Sequence, residues 1–272
     1  MCFFIHTNSY SINIYSNIIV GFMNINDRVK REKESHENED VLYESIKLKN
    51  RFSHITKYPG FLNMEKRFKN FYENSNDKIV LDYGCGKGLD SLKLLKSGSF
   101  VYGIEIAENY INESIELAKK NGFKEDKFNF QVMDAHNLTF KDNMFDLVIG
   151  NGILHHLDKF VAIKSIYRVL KPGGRLVFKE PLGDNPLLKV FRYLTPKART
   201  IDEEPFSKKD LDKIVDPSLW KTENMFFCGS INSFLAVLTS LIIPNSPQNK
   251  LLDFGNYLEK KINKIKYFQS WN

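Results

Sequence analysis

Apolar positions between residues 78 and 179 alternate between two spacings. Short continuous apolar runs at 78–83, 100–106, 128–133, 145–150 and 175–179 predict strands. Between them the apolar residues recur every three or four positions, the spacing of a helix with one buried face. Leu92, Leu94 and Leu95 mark a helix that stops at Gly98, and Ile111, Ile115 and Ala118 mark one that ends at Asn121-Gly122. Phe160, Ile163, Ile166, Tyr167 and Leu170 line a third, terminated by Pro172-Gly173-Gly174. Strands separated by helices of this length predict βαβ units, and so an α/β, doubly wound, mostly parallel sheet.

The flanks are less regular. Residues 27–58 are highly charged, with Val41, Leu42, Ile46 and Leu48 at loose helical spacing. After a break at Pro59-Gly60, Phe61, Met64, Phe68 and Tyr72 predict an amphipathic helix. We expect residues 23–76 to form an N-terminal helical lid, although the charged helix reads equally as a solvated face. Residues 1–22 contain no Lys, Arg, Asp or Glu and lack the charged start and compact apolar run of a signal peptide. They are expected to be a disordered or mis-annotated extension, with Met23 as the natural start.

Beyond Glu180, prolines and charges predict a loop or lid, a short helix from Ser207 and a strand at 221–228. The apolar stretch 234–243 is too short to span a bilayer. Leu251, Leu252, Phe254, Leu258, Ile262 and Ile265 form an amphipathic stripe beside Lys260, Lys261, Lys264 and Lys266. Packing on the sheet is the favoured fate of that stripe, with membrane-surface contact as the alternative. Residues 266–271 read as a short final strand. Residues 77–272 thus make one domain with a substrate-facing insertion around 181–245.

The chain has 272 residues, 42% hydrophobic and 26% charged, enough to bury a core without disulfides or metals. Its net charge of +6 is spread among acidic residues, so no basic and aromatic stripe suggests nucleic-acid binding. Cys2, Cys85 and Cys228 have neither disulfide nor metal spacing, which points to the cytoplasm. No closely spaced Asp, Glu and His set stands out, so no metal is expected. Oligomeric state is not legible.

The first strand ends Ile79-Val80-Leu81-Asp82-Tyr83 and enters Gly84-Cys85-Gly86-Lys87-Gly88. Glycines there let the backbone approach a ligand closely. A dinucleotide fingerprint needs its third glycine one place later, and a P-loop needs Ser or Thr after Lys87. Neither fits. Glu105, at the tip of the second strand, is placed to accept hydrogen bonds from ribose hydroxyls, with Ile106 as an apolar neighbour for adenine. Asp134 can accept from an exocyclic amine, and the Ala135 N–H can donate to a ring nitrogen. The fourth strand runs into Asn151-Gly152-Ile153-Leu154-His155-His156-Leu157.

The ordered segments VLDYGCGKG, YGIEIA, VMDAHNL, FDLVIGNGILHHL and LKPGGRLVFKEP resemble the class I S-adenosylmethionine-dependent methyltransferases, specifically the type-11 group, over about residues 78–181. That resemblance implies a Rossmann-like, mostly parallel seven-stranded sheet with N-terminal helices and a helical insertion or lid. It implies that Asp82, Gly84 and Gly86 surround the methionine part of S-adenosylmethionine, a carbonyl near Gly84 taking its ammonium. Cys85 and Gly88 belong to the same loop set. Glu105 would hold the ribose, Ile106, Asp134 and Ala135 would frame the adenine, and Asn151 would lie beside the sulfonium.

Methyl transfer from a sulfonium chiefly requires that the acceptor be positioned and water excluded. His155, with His156 second, is the candidate to take a proton or orient the acceptor; capping or packing of the next helix is the competing role. Glu180 is a further candidate for substrate contact. The expected acceptor is a small molecule methylated at oxygen. The alternatives are carbon or nitrogen methylation of a quinone-like or lipid-like acceptor, or a cofactor-binding module without catalysis. Nucleic-acid methylation is disfavoured because Asn151 is not followed by Pro-Pro-aromatic.

Overall fold

The computed structural model describes residues 2–7, 25–37, 59–194, 202–214, 220–226, 235, 238–239 and 250–262. Its strands are β1 (Cys2–Thr7), β2 (Ile79–Tyr83), β3 (Phe100–Glu105), β4 (Phe128–Val132), β5 (Phe145–Asn151), β6 (Leu170–Lys179) and β7 (Trp220–Phe226). Its helices are α1 (Ile25–Glu37), α2 (Pro59–Glu73), α3 (Leu89–Lys96), α4 (Glu108–Lys120), α5 (Lys159–Val169), α6 (Pro186–Leu194), α7 (Lys208–Ile214) and α8 (Lys250–Ile262). A single 3₁₀ turn, Leu154–His156, precedes α5.

The strands form one sheet in the order β4-β3-β2-β5-β6-β1-β7. From β4 to β6 all neighbours are parallel, while β1 runs antiparallel to both β6 and β7. The five parallel strands are those the apolar runs predict. Their alternation sends side chains to two cores: Leu81, Val148, Leu176 and Phe178 meet α5 and α7 on one face. Val80, Leu147, Ile149 and Val177 meet α2, α3 and α4 on the other. A sheet covered on both faces by helices is the doubly wound arrangement, and its parallel strands are accordingly apolar throughout.

Local chemistry sets several element boundaries. Pro59, whose ring fixes φ and whose missing N–H is not needed at a helix start, opens α2 instead of merely preceding it. Asp158 caps α5 by accepting from Phe160 N and Val161 N, each at 3.1 Å. Leu170, expected as the last residue of the α5 stripe, is instead the first residue of β6, opposite Phe145. The Pro172-Gly173-Gly174 segment then lies within the strand as a bulge, across which the pairing passes from Phe145↔Leu170 to Leu147↔Arg175. Gly173 sits at φ 76°, a left-handed conformation suited to such an excursion.

The amino-terminal segment departs from expectation. Cys2–Thr7 is not outside the fold but forms β1, with Phe4 opposite Val177 of β6 and Asn224 of β7. An uncharged run of residues that favour extended backbone fits a strand paired on both sides. The expected helix around Val41–Leu48, most of the 234–243 stretch and the final strand at 266–271 lie outside the described residues. In α8, Leu252 is buried whereas Leu251 and Phe254 are exposed among the described residues, so only part of that stripe packs inward. Among the described residues, no helix is long and apolar enough to cross a membrane.

Among the described pairings, β7 is held to the sheet through β1. Removing residues 1–22 should therefore lower the thermal midpoint and speed amide exchange in 220–226 while leaving the β2–β5 amides protected. Unchanged exchange in 220–226 would show that β1 is not a structural strand.

Candidate active site

The chain leaves β2 toward β3 and β4 on one side, then returns to build β5 and β6 on the other. The carboxyl ends of β2 and β5 therefore flank the point where the winding reverses, the usual ligand crevice of an open α/β sheet. The loop after β2 turns tightly there: Cys85 N donates to Ile104 O and Gly88 N to Cys85 O, each at 2.9 Å. Gly84 has φ 74°, and a Cβ there would lie 2.6 Å from Ile153 Cγ1. A Cβ at Gly86, φ 50°, would meet no heavy atom within 4 Å and would project into the crevice. The Cys85 thiol turns the other way, into the α3–α4 core, where burial raises its pKa well above the ordinary thiol value.

Glu105 closes this loop from the tip of β3. Its Oε2 accepts from Gly86 N at 3.1 Å, and its Oε1 from Ile106 N at 2.7 Å and Ala107 N at 3.3 Å. A carboxylate offers about four acceptor positions, so Oε2 keeps capacity for a further donor from the crevice.

Asp82, one strand away, is buried and accepts from Ser91 Oγ at 2.5 Å. Burial first, then the neighbouring Asp90 and Glu105 charges, push its carboxyl up to about 7 despite the Ser91 bond. Asn151, at the end of β5, donates from Nδ2 to Asp90 Oδ2 at 2.9 Å in the first turn of α3.

The opposite wall follows β4. Asp134 Oδ1 accepts from His136 N at 2.9 Å and pairs with His136 Nδ1 at 2.8 Å. Asp158 N donates to His136 Nε2 at 2.9 Å, which fixes the neutral Nδ1–H tautomer. Tyr83, given no role by its position in the motif, is fully buried and donates its hydroxyl to Ala135 O from beneath.

The far side is built from segments distant in sequence. Glu180, at the end of β6, accepts from Ile153 N at 3.0 Å and Leu154 N at 2.9 Å through Oε1. Its Oε2 holds His155 Nδ1 at 2.7 Å. His156 Nδ1 lies 3.0 Å from Glu32 Oε1 of α1. Burial lowers the His156 pKa, but Glu32, followed by Glu203 and Glu180, raises it more, and the net shift is upward. Helix α1 is fastened over the crevice by Arg28 Nε, which donates to His156 O at 2.7 Å, and by the Arg28 bond to Asp202 O. Arg31 adds a bidentate pair to the Asp202 carboxylate at 2.6 and 2.8 Å.

Together these walls bound one pocket, roughly 840 Å³ when the open space at its mouth is counted. Of the residues expected from sequence, Gly84, Gly86, Glu105, Ile106, Asp134, Ala135 and His156 line it. Asp82, Cys85, Gly88 and Asn151 sit beside or beneath the loop, and His155 stands behind His156 with its ring 4.1 Å away. Of the two histidines, His156 faces the cavity, while His155 is held by Glu180. Arg28, Glu32 and Asp202 were not foreseen; the first two had only the charge density of 27–58 as a signal, and Asp202 had none. Local spacing shows no closely spaced Asp, Glu and His set, yet ligand atoms of His155, His156 and Glu203 all lie within 4.8 Å of one another. Chain folding, not local spacing, brings Glu203 there.

Residues 74–225 match the model of a methyltransferase-domain family, and the chain belongs to that family, in agreement with the resemblance of its motifs. It is 34% identical over 154 residues to norajmaline N-methyltransferase of Rauvolfia serpentina, covering 55% of this chain and 49% of that protein. It is 36% identical over 107 residues to 27-O-demethylrifamycin SV methyltransferase of Amycolatopsis mediterranei, covering 39% of this chain and 38% of that protein. The chain thus spans half or less of the length of these curated relatives. A solved structure from Bacillus halodurans C-125, provisionally described as a methyltransferase, shares the fold at TM-score 0.50 and 21% identity, over 56% of this chain and 67% of that one.

The elevated Asp82 carboxyl has a signed consequence. A carboxyl raised in the folded state contributes stability below its unfolded value near 3.8 and loses that contribution as pH rises through about 7. Asp82→Asn, which avoids the buried charge, should gain on wild type across that window by up to about 4 kcal/mol. Urea unfolding at pH 5 and pH 8.5 measures the gap, and a gap independent of pH would contradict the assignment.

Proposed function

We propose that the chain transfers a methyl group from S-adenosylmethionine to a hydroxyl of a small molecule. The reading rests on one observation: the Glu105 carboxylate, the open space at Gly86 and the Asp134–Ala135 segment face a single cavity. S-Adenosylmethionine, when bound, supplies a methyl group on a cationic sulfur that leaves as a neutral thioether. Glu105 Oε2 would take a ribose hydroxyl, and Ile106 with Asp134 and Ala135 would frame the adenine. Asp82, Gly84, Gly88 and the Cys85 backbone would shape the methionine end, with Asn151 near the sulfonium.

The residues fit a cationic ligand, since Asp82, Asp90 and Glu105 together crowd negative charge that a cation would relieve. On the acceptor side, His156 is the group placed to take the hydroxyl proton, its basicity raised by Glu32. Transfer of the methyl group to the acceptor oxygen would leave the hydroxyl proton on His156. Helix α1 would exclude water above the reacting atoms.

An amine acceptor is the second reading, supported by the Glu32 carboxylate in the cavity wall and by the N-methylating relative. The three cysteines without paired spacing support a cytoplasmic setting.

Calorimetric titration with S-adenosylhomocysteine should show Glu105→Ala binding at least about tenfold more weakly than wild type. His156→Ala should keep cofactor affinity and lose about 100-fold in turnover with hydroxyl acceptors. Release of S-adenosylhomocysteine across hydroxyl and amine panels separates the two acceptor classes. Full binding with no turnover on any acceptor would instead favour a cofactor-binding module without catalysis. Wild-type affinity in Glu105→Ala would sink the proposed cofactor geometry.

A further inference from the structure

We propose that His155, His156 and Glu203 form a binding site for a divalent transition-metal ion, Zn²⁺ being the best match to the donors. The site does not depend on the methyl-transfer reading.

The three side chains already bring ligand atoms within 4.8 Å of one another. A tetrahedral zinc ion with bonds of about 2.0–2.1 Å sets its ligand atoms roughly 3.3 Å apart, so the set needs only to contract. The tautomer of one histidine is fixed by a carboxylate. Glu180 accepts two backbone N–H bonds on Oε1, and its Oε2 holds His155 Nδ1 at 2.7 Å. That makes Nδ1 the protonated nitrogen and leaves the lone pair on Nε2. His156 has Glu32 Oε1 3.0 Å from its Nδ1, an ion-pair distance without hydrogen-bond alignment. A carboxylate hydrogen-bonded behind the imidazole, as Glu180 is behind His155, is the usual support of a metal-binding histidine and fixes its tautomer.

Glu203 is held in place from two directions. Arg192 Nη1 donates to its Oε1 at 2.9 Å, and the next residue's N–H, of Glu204, donates to His155 O at 2.7 Å. A carboxylate that accepts one such bond retains lone pairs for a metal. The local charge also favours a cation, with Glu32, Glu180 and Glu203 set against Arg28 and Arg192.

Two imidazoles and one carboxylate suit zinc and its neighbours, whereas calcium and magnesium prefer oxygen throughout. Three protein ligands leave one position open, the pattern of a reactive zinc centre. His156 lines the cavity, so that position borders the acceptor space.

The test titrates the full chain, stripped with a chelator, with ZnCl₂ by calorimetry and records X-ray absorption at the zinc edge. The expected result is one ion per chain, bound by two imidazole nitrogens and a carboxylate oxygen with no sulfur. Glu180→Gln should weaken binding about 10-fold. His155→Ala combined with His156→Ala should abolish it while the circular dichroism melt stays cooperative. Sulfur in the coordination shell, zinc retained stoichiometrically by the double variant, or no saturable binding by wild type would each overturn the site. S-Adenosylhomocysteine affinity of the stripped protein tests the methyl-transfer reading separately.

Discussion

Glu105 carries more of this structure than a ligand contact would. Its carboxylate accepts from the N–H groups of Gly86, Ile106 and Ala107, so it ties the glycine loop of β2 to the start of the loop after β3. Those donors face a crevice where neither strand ladder nor helix can satisfy them. A buried amide without a partner costs about 1–3 kcal/mol, so a single acceptor serving three amides is a strong local constraint. It also sets where the loop backbone stands, and therefore the shape of the space at Gly86.

The same device recurs along the carboxyl edge of the parallel strands. Asp82 ends β2 and takes the Ser91 hydroxyl from α3. Glu180 follows β6 and takes the amides of Ile153 and Leu154 together with His155. Each acidic group joins a strand end to the segment that crosses the crevice. Burial, then the nearby Asp90 and Glu105 charges, raise the Asp82 carboxyl, and a cation in the crevice would offset that cost. Helix α1 closes the arrangement from above: Arg28, Arg31 and Glu32 reach Asp202 and the His156 segment. A cover fastened by such polar bonds suits a site that must admit and release small molecules.

What could be read beforehand was whatever local periodicity encodes. The five parallel strands announce themselves because each is a short apolar run followed by an amphipathic helix. Glu105 was legible for the same reason, since its place follows from the glycine loop and the next strand. Its structural role was not, because acceptance from Gly86 depends on how two strand ends meet. β1 was missed because Cys2–Thr7 pairs with partners more than 150 positions away. Tyr83 looked like a variable loop residue, yet burial beneath Ala135 makes it a support. Glu203 and Asp202 reach the crevice only through tertiary folding, so no spacing rule could have joined them to His155, His156 and Arg31.

The central claim is that one cavity, organised by Glu105, receives the adenosine part of the cofactor. A crystal structure of the chain soaked with S-adenosylhomocysteine tests it most directly. A ribose hydroxyl is expected within hydrogen-bonding distance of Glu105 Oε2, with adenine between Ile106 and the Asp134–Ala135 segment. Nucleoside density elsewhere, or a Glu105 carboxylate still contacting only its three backbone amides, would contradict it.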